Sequence, residues 1–281
     1  MKTMLRIVLA VCCFSGFNVW GQKAEISKAV VKKWETPARL KTPESVLYDG
    51  KDVIYVANIN GQPAAKDGNG FISKISLDGR ILKSEWITGL DAPKGMGLYS
   101  GKLYVTNITE VVEISIAGSK ITKRYPAEGS VFLNDISISP SGAVYVSDSR
   151  KGTIYRLMNG KLEKWMEGLD GVNGLYCTGK DMLLAGTGNS IVQINTAGKQ
   201  KSTLVSGTGS IDGLIYCGKN TYLFSDWEGS VYRVVMGKAK ELLLNTSKAG
   251  INAADIDYIP SKRLLLVPTF RDNRVMAYEL K

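Results

Sequence analysis

Glu44, Lys94, Asn134, Asn173, Asp212 and Ala254 stand at the same position in six related segments of this chain. The segments are Pro43–Tyr48, Pro93–Leu98, Leu133–Ile138, Val172–Cys177, Ile211–Tyr216 and Ala253–Tyr258, with steps of 50, 40, 39, 39 and 42 residues between them. Five of the six positions are polar, and Asp255 lies beside the sixth. Glu44, Asn134, Asn173 and Asp212 offer oxygen without thiol or imidazole. Such a set suits a hard cation such as calcium, which takes six to eight oxygens at roughly 2.3–2.6 Å. Taken singly, Asn-Gly, Asp-Gly and Asn-Asp are also ordinary turn pairs. What sets them apart is the common frame. The chain has no histidine. This excludes serine–histidine triads, histidine bases and histidine-ligated zinc. Acid–base work falls to carboxylates, lysine or tyrosine.

Each segment opens a unit of about forty residues with four strand-sized runs. An apolar run comes first, then a turn such as Ser139-Pro140-Ser141-Gly142, then two further apolar runs and a polar one. No window sustains a helical period. Four short strands per unit, repeated six times, predict an all-β fold: a six-bladed β-propeller with four antiparallel strands per blade. The sixth unit ends after its third strand. Ala29–Trp34 resembles the missing fourth strand, so the N-terminal strand is expected to close the ring and remove an exposed edge. The six first strands then line the axis, and the six equivalent positions meet at one end of it.

The first 21 residues read as a secretory signal peptide, with Lys2 and Arg6 before the largely apolar stretch 7–20 and a cut near Gly21. Fourteen residues are too few to span about 30 Å of hydrocarbon. Residues 22–281 are then one propeller domain, in a secreted or periplasmic protein with no membrane contact after cleavage. Removing Lys2 and Arg6 with the leader leaves 260 residues and lowers the net charge from +10 to +8. The basic residues are dispersed, which predicts a solvated surface and not a nucleic-acid site. Cys177 and Cys217 remain at equivalent positions of neighbouring blades, too far apart for a disulfide, so two buried free thiols are expected. Gly174–Asp181 and Gly213–Asn220 nearly spell phosphate-binding loops. They lack the Ser or Thr that would hold magnesium and lie between strands, so no nucleotide is expected. Nothing in the sequence sets an oligomeric state.

Over all six units, roughly residues 40–281, the chain resembles the superfamily of gluconolactonase, senescence marker protein (regucalcin) and luciferin-regenerating enzyme. Glu44-Ser45-Val46-Leu47-Tyr48-Asp49 looks like its first-blade glutamate motif. Phe132-Leu133-Asn134-Asp135, Val172-Asn173-Gly174 and Ile211-Asp212-Gly213 look like its third-, fourth- and fifth-blade motifs. The resemblance implies Glu44, Asn173 and Asp212 as ligands of one divalent cation. Calcium comes first, with magnesium, manganese or zinc as the other ions to test. It implies Asn134 as an accessory that helps to bind substrate or metal. Sugar-lactone members carry an arginine where this chain has Phe132, and Lys94 brings a positive charge near the ion.

The expected function is therefore an exported, metal-dependent hydrolase of small-molecule lactones or related esters. Asp212 would act as general base and Lys94 as oxyanion partner, with Asn134 and Phe132 facing substrate. The alternative is a non-catalytic propeller that binds a ligand or protein, with a structural cation.

Overall fold

The computed structural model describes residues 24–179 and 181–281. The leader, its cleavage site, Cys12 and Cys13 lie outside them. Six antiparallel sheets are arranged as the blades of a propeller, consecutive in sequence and each running from an innermost to an outermost strand. Blade one comprises Pro43–Tyr48, Val53–Asn58, Gly70–Ser76 and Ile81–Leu90. The innermost strands of the next blades are Pro93–Tyr99, Leu133–Ile138, Leu175–Cys177, Leu214–Gly218 and Asp257–Ile259. Among the described residues, helix is limited to three short 3-10 turns.

The N-terminal closure is present. Val30–Glu35 forms the outer strand of blade six, paired antiparallel with Val275–Leu280 from Val30↔Leu280 to Glu35↔Met276. A second contribution was not anticipated: Glu25–Ile26 adds a fifth strand to blade five, against Leu244 and Asn245. The N-terminal segment thus staples two blades before the first repeat begins.

Composition tracks position within the blade. Second strands are covered on both faces by neighbouring blades, and Leu264–Pro268 is buried along its whole length. That is why they read as unbroken apolar runs such as Leu264-Leu265-Leu266-Val267. Outer strands such as Lys161–Met166 are exposed except at isolated positions such as Trp165. The apolar side chains gather into seven clusters, one at each of the six blade-to-blade interfaces and a seventh that joins Ala254 of the ring to Ile59, Ala92, Ile108 and Phe270. Val30 sits in the cluster between blades five and six, and Trp34 packs on that between six and one. Burying a side chain of this size contributes about 2 kcal/mol.

At the axis the inner strands nearly touch. Ser45 and Asp255 form a parallel bridge between blades one and six. A Cβ on Gly174 would lie 2.6 Å from the Asp212 carbonyl oxygen, and one on Gly213 would lie 2.5 Å from the Ile256 nitrogen. Only glycine allows such an approach. The residues that follow the six ring positions are Ser45, Gly95, Asp135, Gly174, Gly213 and Asp255, so this narrow layer is built from small residues and two carboxylates.

Candidate functional site

The polar ring sits just outside this narrow layer. Each member is placed by backbone at the start of its blade. The Asn173, Asp212 and Ala254 amides donate to the Gly186, Ser225 and Pro268 carbonyls of their own second strands, at 2.9, 2.8 and 3.0 Å. The Glu44 carbonyl accepts from the Asp255 amide at 2.9 Å. Glu44, Lys94 and Asn134 lie within their first strands, whereas Asn173, Asp212 and Ala254 lie in the segments just before theirs and are held by these amide bonds to the second strands.

Glu44, Lys94, Asn134 and Asp212 are buried, and Asn173 is half-buried. The Asn173 amide donates to Asp212 Oδ1. Among the described residues five buried side-chain polar atoms lack a hydrogen-bond partner; three belong to the ring, Glu44 Oε2, Asn173 Oδ1 and Asp212 Oδ2, and two, Trp165 Nε1 and Asn252 Oδ1, belong to no ring position. Buried acceptors left unpaired cost roughly 1–3 kcal/mol each, and native proteins rarely keep several together without a reason. Among the described residues, no three of His, Cys, Asp and Glu converge as metal ligands. At the ring positions the orphaned set is two carboxylates and one carboxamide.

Burial dominates the electrostatics. It raises the Glu44 pKa well above the carboxylate range, Asp212 adds to the rise, and Lys94 opposes it. The Asp212 carboxyl is pushed up to about 7 by burial, against the stabilising Asn173 bond. A cation between the two carboxylates would reverse the effect, because opposite charge favours the ionised form.

Lys94 is almost fully enclosed. Its Nζ donates to the Pro63 carbonyl at 2.9 Å and the Ala92 carbonyl at 3.0 Å, and it stands 4.4 Å from the Phe132 ring centre. Burial brings its pKa down to about 8, with Glu44 opposing and Arg150 assisting. Two of its three N–H bonds are thus engaged by the protein. Asn134 is anchored through its carbonyl, which accepts from the Thr106 hydroxyl at 2.6 Å, and its side-chain amide lies 3.5 Å from the Ser149 hydroxyl. Ala254 contributes no polar group. Asp255 does not replace it in the ring: its carboxylate accepts from the Ser45 hydroxyl at 2.7 Å, one layer further in.

That inner layer was missed as a unit by sequence reasoning. Asp135 accepts from the Ile136 and Leu175 amides, both at 2.6 Å, and burial drives its pKa up to about 7. Asp255 is also raised well above its ordinary value, by burial first and then by Asp135 and Glu44. The available signal was the acid directly following the ring position in Asn134-Asp135 and Ala254-Asp255. Beyond this layer a cavity of about 230 Å³ runs along the axis toward the opposite face, lined by Tyr48, Ser137, Tyr176 and Asp257 among others. Arg150 was also missed. Its guanidinium lies 4.2 Å from the Phe132 ring centre, and no sequence pattern marks it.

Comparison with solved structures gives the fold. Virginiamycin B lyase from Staphylococcus aureus, in a catalytically inactive variant crystallised with quinupristin, matches over 92% of this chain and 100% of its own, at 14% identity and a TM-score of 0.63. A streptogramin B lyase matches 91% of this chain and 100% of its own, at 14% identity and TM-score 0.65. The WD40 propeller domain of Doa1 matches 84% of this chain and 78% of its own, at 13% identity and TM-score 0.62. The likeness is one of fold. No protein-family profile matches the chain, and neither does any curated protein sequence.

Cys177 and Cys217 are unpaired, as expected, but half-buried and not enclosed. Burial still raises their thiol pKa values, to about 11 and about 12.

Proposed function

We propose that this protein is a divalent-cation-dependent hydrolase of lactones or related esters, of the gluconolactonase and senescence marker protein type, acting after export. The observation that carries the reading is that Glu44, Asn173 and Asp212, at equivalent positions of their blades, each keep a buried oxygen without a partner, with Asn173 bonded to Asp212. These residues fit a hard cation in donor chemistry and in charge: two carboxylates against a 2+ ion, with carboxamide and water oxygens to complete the shell. When bound, the ion would supply Lewis-acid polarisation of the substrate carbonyl.

The remaining work falls to the chain's own groups. Asp212 accepts the proton of the attacking water, and the Asn173 amide holds the carboxylate in one orientation for that transfer. The water oxygen forms the new bond to the acyl carbon. The acyl carbon–oxygen bond breaks, and the proton passes to the leaving alcohol. In a lactone, acid and alcohol remain one molecule. Asn134 would position substrate, with Phe132 acting through the Lys94 and Arg150 cations that rest on its ring.

Two fold neighbours are lyases, and the staphylococcal one is inactive when a single histidine is replaced by alanine. This chain has no histidine, so that chemistry has no counterpart residue here. One feature favours the second reading, a non-catalytic binding propeller with a structural ion. Lys94 spends two N–H bonds on carbonyls, which weakens it as an oxyanion donor. Assaying a panel of lactones and esters with calcium, magnesium, manganese and zinc tests both. Ion binding without turnover of any member selects the binding propeller.

A further inference from the structure

The rim of the ring carries a positive charge that the structure leaves unneutralised. Arg80, Arg124, Arg233, Arg263 and Arg274 each reach a carboxylate. Among the described residues Arg39, Arg150, Arg156 and Arg271 have no carboxylate within ion-pair distance, and of these Arg150 is exposed and adjoins the ring through Ser149 and Phe132. Instead the Arg150 guanidinium rests 4.2 Å from the Phe132 ring centre, and the Lys94 ammonium rests 4.4 Å from the same centre. Two like charges on one ring repel each other. Asn134 ties this pair to the ring, since it follows Phe132 by two residues and its side-chain amide lies 3.5 Å from Ser149, the neighbour of Arg150.

Charge is therefore arranged in two zones. Unpaired acid oxygens face the axis, and a guanidinium braced on an aromatic ring stands beside them. Stacking on an aromatic limits the freedom of a guanidinium while leaving its N–H edge available for a planar, two-oxygen anion. A ligand that is neutral throughout satisfies neither zone fully. One that carries a carboxylate satisfies the rim while its carbonyl faces the centre.

We infer that Arg150, seated on Phe132, is the anion-recognition residue of this site and that the substrate is a lactone or ester bearing a free carboxylate. The inference rests on the proposed site but does not require turnover.

The test uses the full chain with saturating calcium and two probes: γ-butyrolactone carrying a ring carboxylate, and the same lactone with that group as a primary amide. Binding is measured by calorimetry and hydrolysis in parallel. The wild type should bind the carboxylate at least about tenfold more tightly than the amide, equivalent to about 1.4 kcal/mol. Arg150→Gln should bring the ratio close to one with calcium affinity unchanged, Arg150→Lys should restore part of it, and Arg271→Gln, on the separate Trp227 pair, should leave it intact. A wild-type ratio of one overturns the inference. So does a ratio that survives Arg150→Gln or vanishes in Arg271→Gln. Charge discrimination without hydrolysis of either probe upholds Arg150 and removes the hydrolase reading, so the two fail separately.

Discussion

Asn173 donates its side-chain amide to Asp212 Oδ1, and the pair thereby turns two unpartnered oxygens, Asn173 Oδ1 and Asp212 Oδ2, into the same buried site. One hydrogen bond between neighbouring blades orients both side chains. The arrangement has no use in an apolar scaffold, where the two unpaired acceptors would only cost stability.

Asp212→Asn keeps the shape of this pair and removes half of the carboxylate charge facing the centre. Calcium affinity should fall about tenfold or more, and any hydrolysis by about a hundredfold or more. Glu44→Gln should weaken the ion to a similar degree. Asn134→Ala should raise KM more than it changes ion binding. Calorimetry on the wild type is the decisive control: if no divalent ion binds, the site assignment fails.

Gly174→Ala tests the close approach at the axis. Its new Cβ would meet the Asp212 carbonyl oxygen at 2.6 Å. The backbone must shift, so stability should drop by about 1–3 kcal/mol, and the Asp212 carboxylate should lose ion affinity as well. Denaturant unfolding beside an ion titration measures both. Unchanged values in both would show that the inner strands have more slack than their contacts imply.

The buried carboxyls predict how the metal-free protein responds to pH. Burial holds Asp135 and Asp212 near 7 and Asp257 near 6, all above the ordinary aspartate value of 3.8. A carboxyl whose folded pKa is raised binds its proton more tightly in the folded state. Its contribution is complete below the unfolded pKa and is lost as pH climbs through the folded one. In chelator, the melting temperature should therefore decline between about pH 4 and pH 7. Calcium should offset the decline most at the upper end, where the carboxylates are ionised. Thermal scans across this range decide the matter, and a profile that rises with pH in chelator would contradict it.

Removing residues up to Glu35 would strip the outer strand from blade six and take Val30 out of the core between blades five and six. The melting temperature should fall by about 5 °C or more, if the shortened chain folds at all. A second truncation ending at Ile26 removes only the Glu25–Ile26 staple on blade five and should cost much less. Equal losses would mean that ring closure is not what the N-terminal strand contributes.

In protein beginning at Gln22, Cys177 and Cys217 should both react with a thiol reagent after unfolding without reductant. In the folded state the raised thiol pKa values leave little thiolate, so labelling should be slower by about tenfold or more. A mass two hydrogens light, with no labelling, would reveal a bridge.

The repeat, the blade count and the closing strand were legible in the sequence because each is local or periodic. Strand-length apolar runs recur with the same turn residues, and Val30 to Trp34 carries the pattern of an outer strand. The ring of Glu44, Asn134, Asn173 and Asp212 was legible for the same reason: equal phase in six repeats means equal height along one axis. Phase does not determine which atoms are left without partners. That depends on side chains meeting across blade boundaries, as when Asn173 turns to Asp212 and leaves Glu44 Oε2 alone. Nor does phase decide that Lys94 bends back to the Pro63 and Ala92 carbonyls, or that Arg150, from the turn after a second strand, lands on Phe132. Those contacts join residues whose separation in sequence carries no period. They arise only when the closed ring brings loop ends together in a space too small for every charge to reach water.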